Sequence, residues 1–258
     1  MMDNLGVLPA GSLGVGLANT DAELQAVQSL RYQVFYEEMG ATPTAEMALR
    51  GQDFDVFDPV ADHLLVLDYD LDPPHGRVVG CYRMLRREPM ERIGRFYSAS
   101  EYDITPVLDF SGNIMELGRS CVAPTHRNRA TMQMLWRGLA AYVRRHDVSL
   151  LFGCASLYGT DPSVLAPQLS YLYHRHLAPG ALRVRALPEL YQPMDLLPPE
   201  AIDTRGVVVS LPPLIKGYLN VGGFFGDGAV IDRQFNTTDV FVIVALDRLE
   251  EKYRRHFF

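Results

Sequence analysis

Residues 114–154 read IMELGRSCVAPTHRNRATMQMLWRGLAAYVRRHDVSLLFGC, and their hydrophobic rhythm changes twice. Ile114 to Val122 is a run of apolar and small residues that predicts a strand. From about Asn128 to His146, Met132, Leu135, Trp136, Leu139 and Val143 recur at helical intervals and predict one apolar stripe. Ser149 to Cys154 is short and apolar again, the pattern of a buried strand. Two strands joined by a helical crossover should be parallel, so a mixed α/β sheet is expected.

Working outward, Thr20-Asp-Ala-Glu23 has capping-box spacing, and Leu24, Val27, Leu30, Val34 and Phe35 follow at near-helical intervals. A helix over about 21–38 is predicted, ended by Gly40. His63–Tyr69 and Arg77–Arg83 read as two strands of an antiparallel hairpin, joined by the turn-forming Asp70–Gly76. Beyond Cys154, a helix is predicted over Pro162–His176. Seven prolines between 179 and 213 then mark an extended, loop-rich connection. A short helix near 213–221, the glycine-bearing Gly222–Gly228 and a strand at 240–246 complete the chain. This is one domain over 1–258, with a core at about 13–178 and a C-terminal extension at about 179–258.

The chain has 258 residues, 48% hydrophobic and 21% charged, which excludes wholesale disorder and fibrous repeats. Its net charge of −7 argues against a general nucleic-acid binder. Val240–Leu246 is the longest apolar run at seven residues, far below the roughly 20 that a spanning helix needs. Asp3 stands where a secretory signal carries Lys or Arg, so a cytoplasmic location is expected. Cys81, Cys121 and Cys154 are isolated and read as buried free thiols.

Charge is distributed unevenly. Eleven acids and two bases lie between Asp21 and Asp70, whereas six arginines and no acid lie between Leu117 and His146. An acidic lobe for a cationic partner and a basic surface for an anionic one are the expectation. His126-Arg-Asn-Arg-Ala130 falls where a strand ends and a helix begins, so Arg127 and Arg129 coincide with free backbone N–H groups that favour phosphate. No metal is expected, since His174-x-His176 lacks a third ligand, and no Gly-x-Ser-x-Gly elbow is present.

Arg127-x-x-Ala130 partly resembles the pyrophosphate loop of GNAT acyltransferases, with Ala130 and Met132 at positions that family keeps small or glycine. A carrier protein with one phosphodiester on its arm suits arginines without the full loop. Leu30–Phe35, Asp55–Asp58, Gly80–Arg83 and Glu116–Arg119 are similar in order and spacing to acyl-homoserine-lactone synthases. Longer stretches, Arg31–Gly40, Glu116–Val122, Leu151–Ser156 with Gly159–Pro162, and Gly226–Asp239, resemble the L-ornithine N-acyltransferases, often labelled hemolysin-like.

The resemblance implies a GNAT-like, mainly antiparallel mixed sheet flanked by helices. It implies transfer of a 3-hydroxyacyl chain from acyl carrier protein to the α-amino group of L-ornithine, forming lyso-ornithine lipid. The donor's acyl-phosphopantetheine is a substrate and no bound cofactor is implied. The lipid product implies peripheral contact with the inner face of the membrane. Alternatives are another amino acid or a signal precursor as acceptor, or a non-catalytic membrane-active protein.

The chemistry is attack of an amine on a thioester, and the amine must first lose a proton. Glu116, on an otherwise apolar strand, is the candidate acceptor, with partial burial raising its pKa. The alternative is an ion pair with Arg119. A bulge at Gly118 would bring those two together and turn a backbone N–H toward the thioester oxygen. Asp55 and Asp58 are candidates for the acceptor's ammonium, or else turn-forming aspartates. Arg31 and Arg83 either clamp the acceptor's carboxylate or order the acidic loop. Phe35, Asp227 and Asp239 complete the candidate acceptor residues, and Arg127, Arg129 and Ala130 the donor residues. Tyr158, Tyr171 and Tyr173 are candidate proton donors but read better as aromatic core.

Overall fold

A computed structural model describes residues 8–72 and 77–246. In chain order it contains β1 (Leu8–Ala10), β2 (Leu13–Leu17), α1 (Asp21–Tyr32), α2 (Ala45–Arg50), β3 (Asp62–Asp68), β4 (Val78–Arg86), α3 (Arg87–Met90), β5 (Tyr102–Asp103) and α4 (Thr105–Leu108). There follow β6 (Asn113–Val122), α5 (Arg129–Arg145), β7 (Val148–Tyr158), α6 (Ala166–His176), β8 (Arg185–Ala186), β9 (Tyr191–Gln192), α7 (Thr204–Ser210), α8 (Pro213–Asn220), β10 (Phe224–Asp232) and β11 (Thr237–Ala245). Two compact units emerge. Among the described residues, one holds those up to Gly94 with Leu117–Val148, and the other holds Arg95–Glu116 with those from Ser149 onward. Residues 179–246 fall in the second unit together with residues 95–116 and 149–178.

In the first unit the strand order is β1-β2-β3-β4, followed by the C-terminal half of β6. β2, β3 and β4 pair antiparallel, placing His63 opposite Arg83. β3 is apolar on both faces because helices cover both. Leu65 and Leu67 pack with Val27 and Leu30 of α1, whereas Leu64 meets α5. Close approach of α5 depends on Gly138, where an added Cβ would sit 2.5 Å from Val15 and 2.8 Å from Leu64.

The Thr20–Glu23 capping box forms as read. The helix it starts, however, is not uniform to residue 38. It is α-helical to Tyr32 and continues as a π-helical turn over Gln33–Glu38, with the Met39 N–H bonded to the Val34 carbonyl. Gly40 follows at φ 74°. The apolar stripe of α5 is also shifted: Thr131, Met134, Leu135, Leu139, Tyr142 and Val143 are buried, and Met132 and Trp136 are only half-buried. Of the predicted turn at 70–76, residues 73–76 lie outside the described residues.

In the second unit the order is β6-β7-β11-β10-β8-β5, with β9 on β10. β7 and β11 pair antiparallel over nine residues, and Phe152 and Phe241 stack within this sheet with centroids 5.9 Å apart. β8 runs parallel to β10, so the sheet is mixed but mainly antiparallel. Of the glycine-bearing stretch 222–228, residues 224–228 enter β10, and Gly226 and Gly228 lie at a register break between Phe225 and Ala229, with Gly228 at φ 90°. The helix expected from Pro162 begins at Ala166, after turns. The proline-rich connection carries β8, β9 and α7.

Candidate active site

The first unit contains a buried network of charge. α1 contributes Arg31, β4 contributes Arg83 and β6 contributes Arg119, while the 51–58 loop turns Asp53, Asp55 and Asp58 toward them. Arg31 is fully buried. Its Nε donates to Asp53 at 2.7 Å, its two Nη atoms to Asp58 at 3.0 and 2.9 Å, and Nη2 also to the Asp53 carbonyl. Arg83 Nη1 reaches Asp55 at 2.6 Å and Asp58 at 3.0 Å, and Arg119 reaches Asp53 at 3.1 Å and Asp55 at 3.4 Å. Three guanidinium groups thus face three carboxylates, which is how buried charge is tolerated.

Burial pushes the Asp58 pKa up, but Arg31 and Arg83 outweigh it and hold the carboxyl well below its usual range. For Asp53 burial is likewise outweighed, by Arg31 and Arg119. Three further members had no local signal: Gln28 and Tyr36 donate to Asp58 and Asp53, and His63 Nε2 lies 3.1 Å from the Asp58 carbonyl. Burial lowers the His63 pKa to about 4, and its Nδ1 has no hydrogen-bond partner. Asp53 could have been suspected only from its place in Asp53-Phe-Asp55-Val-Phe-Asp58.

The backbone irregularity expected at Gly118 falls one residue later. Arg119 adopts φ 49°, a left-handed conformation that costs a non-glycine residue, and the Cys81 thiol donates to its carbonyl at 3.4 Å. In the second unit Glu116 is 4% exposed. It accepts from the Tyr97 N–H at 2.8 Å, the Ser98 N–H at 2.7 Å and the Ser98 hydroxyl at 2.5 Å. Arg119 pairs with Asp53 and Asp55 of its own unit.

Also in the second unit, ligand atoms of Glu101, Cys154 and Asp239 lie within 4.8 Å of one another, compact enough for an ion. Sequence reading had singled out only Asp239 as part of a site. The Cys154 thiol donates to Glu101 at 3.4 Å, and burial and then Glu101 push its pKa well up. Asp239 accepts from Thr237, and its carbonyl from Tyr102. Asp227 sits at the β10 irregularity, bonded to Tyr191 and paired with Arg185.

At the start of α5, Asn128 caps the helix by accepting from the Thr131 N–H. Arg129 and Ala130 are exposed in its first turn. Arg127 donates through both Nη atoms to Glu38, at 2.5 and 2.6 Å, and through Nε to the Val122 carbonyl. Nearby, a cleft of about 460 Å³ is lined by Leu30, Val78, Val79 and Ala123, with Tyr32 and His126 among its polar groups. Phe35 is half-buried against the core beneath α1.

Three readings need correction. The acidic 21–70 stretch is not a free acidic lobe: Asp53, Asp55 and Asp58 pair with arginines in the interior, and Glu38, Asp62 and Asp68 pair with Arg127, Arg86 and His126. Tyr158, read as core, is 65% exposed, whereas Tyr171 is buried. His174 and His176 have separate partners, Asp195 with the Leu197 carbonyl and Tyr171. Cys81 and Cys121 are buried thiols 3.5 Å apart, and Cys154 is only half-buried.

Residues 30–137 match the family model described as an acetyltransferase (GNAT) domain. Over 250 residues the chain is 48% identical to the L-ornithine N(alpha)-acyltransferase of Brucella abortus (strain 2308), covering 96% of this chain and 89% of that protein. It is 46% identical to the protein of the same name from Rhodobacter capsulatus, covering 95% of each. Among solved structures, FeeM, an N-acyl amino acid synthase from uncultured soil microbes, superposes with a TM-score of 0.50 at 8% identity, covering 92% of each chain. That likeness is one of fold. No described helix is long and apolar enough to cross a membrane.

Proposed function

The chain belongs to the L-ornithine N(alpha)-acyltransferase family, and from that premise we propose that it transfers a 3-hydroxyacyl chain from acyl carrier protein to the α-amino group of L-ornithine. The observation that carries this reading is identity of 43–48% over nearly the whole chain to four relatives of that name. Such a reaction needs a neutral amine, a polarised thioester and a place for the leaving thiolate. The amine nitrogen attacks the thioester carbonyl carbon, the tetrahedral adduct collapses with loss of the pantetheine thiolate, and the amine's proton passes to a base.

Glu116 is proposed as that base, held in one orientation by the Tyr97 and Ser98 donors. Arg119 is also proposed as a catalytic residue, its left-handed backbone and its pairing with Asp53 and Asp55 fixing the side chain. Arg31, Arg83 and Asp58 are proposed to order the 51–58 loop, since their polar atoms are bound to one another. Asp55, a fifth exposed, is the aspartate of the network open to meet the acceptor. Arg127 and Arg129 are proposed to take the donor's phosphodiester at the start of α5.

The test is incubation of the purified chain with 3-hydroxyacyl carrier protein and a panel of amino acids, with products identified by mass. Acylated ornithine as the dominant product supports the reading. An acylated product from every amino acid except ornithine would overturn the choice of acceptor, and transfer only from acyl-coenzyme A would overturn the donor. Product release into added vesicles measures the expected peripheral contact with a membrane.

A further inference from the structure

Arg127 is held like a socket already filled. Its Nε is fixed to the Val122 carbonyl at 3.2 Å, which anchors the guanidinium beyond the end of β6 and leaves both Nη atoms to grip an anion. They grip the Glu38 carboxylate in the parallel two-bond geometry that a guanidinium also offers to phosphate. Glu38 lies 89 positions away in sequence and ends the π-helical turn. Such turns are rare and collect at functional sites. This one is tied down at its middle by the bond from Tyr36 to Asp53 at 2.9 Å, so Glu38 can leave Arg127 without loss of that anchor. Both members of the pair are open to solvent, Arg127 at 45% and Glu38 at 37%.

We propose that Glu38 is a built-in competitor for the anion that Arg127 binds, and that it sets how tightly the chain holds the phosphate of its acyl donor. The proposal rests on the reading of Arg127 as a donor ligand. An exposed ion pair is weak and a phosphodiester arriving with a whole carrier protein displaces it. The carboxylate then serves two ends: it keeps the empty socket from collecting free phosphate, and it weakens donor binding enough for the spent carrier to leave.

Steady-state kinetics at low ionic strength provides the test, with acyl carrier protein as donor and inorganic pyrophosphate as a competing anion. Glu38→Gln keeps the shape and removes the charge. It should lower both the donor KM and the pyrophosphate inhibition constant by about 2- to 5-fold, the size of one exposed ion pair. Arg127→Ala should raise both constants, and adding Glu38→Gln to it should change nothing further. A donor KM that rises in Glu38→Gln overturns the proposal, because Glu38 would then be positioning Arg127 for the donor. If Arg127→Ala leaves the donor KM unmoved, the underlying donor reading fails first and the proposal with it. Circular dichroism of each variant confirms the fold.

Discussion

At the scale of single residues, Glu116 and His63 are both buried, each at 4% exposure. Glu116→Gln should cut turnover by about 10²- to 10⁴-fold, the usual loss when a general base is removed. The amide must also place an NH₂ group among three donors that now converge on the carboxylate, so a stability loss of about 1–3 kcal/mol should accompany it. Measuring kcat beside the unfolding free energy separates the two effects. A variant destabilised but still turning over at the parent rate would reassign Glu116 to holding the 97–98 turn. His63 is buried as the neutral imidazole with its pKa lowered to about 4. Its unfolded form takes up a proton below about pH 6.5 and the folded form does not, so folding stability should fall as pH drops from about 6.5 to about 4. The shift amounts to about 3 kcal/mol. Urea unfolding across that window should give a flatter pH dependence for His63→Gln than for the parent, and parallel curves would mean that the ring does not titrate in this way.

At the scale of elements, the 51–58 loop is ordered by charge as much as by packing. Asp58 accepts from Arg31, Arg83, Gln28 and the Asp55 N–H, and removing its charge leaves two buried guanidinium groups short of a partner. Asp58→Asn should therefore cost about 3–5 kcal/mol, the range for breaking a buried ion pair from one side. Because the loss is one of loop order, the specificity constants for ornithine and for the uncharged norvaline should fall together. A loss confined to ornithine would show instead that Asp58 reads the side-chain ammonium. The π-helical turn follows the same logic. Nothing in Gln33-Val-Phe-Tyr-Glu-Glu38 marks a departure from α-helix; Tyr36 reaching Asp53 and Glu38 reaching Arg127 favour the wider turn.

At the scale of the whole molecule, the net charge of −7 conceals a basic start to α5 within an acidic chain. If the donor is an acidic carrier protein that docks on Arg127 and Arg129, as proposed, its encounter with this acidic chain should depend on salt. Replacing both arginines by Ala should raise the donor KM much more than the ornithine KM, and added salt should mimic the effect in the parent. A donor KM indifferent to both changes would remove the helix start from the donor site.

Local pattern determined much of this protein. The strand–helix–strand run from Ile114 to Cys154, the Thr20–Glu23 cap and the hairpin strands are fixed by hydrophobic spacing within a few residues, and the structure keeps all of them. The long ordered motifs were also enough to point to the family. Pairing of charge was legible only as the alternative that Arg31 and Arg83 order the acidic loop; which aspartate each meets was not. Asp53, Asp55 and Asp58 look like turn residues, and a sequence does not distinguish a solvated charge from one paired in the interior with a residue 22 to 66 positions away. The left-handed backbone at Arg119 and the partners of Glu116 arise the same way. Each is decided by which groups are left without water when the elements pack, and only the tertiary structure sets that.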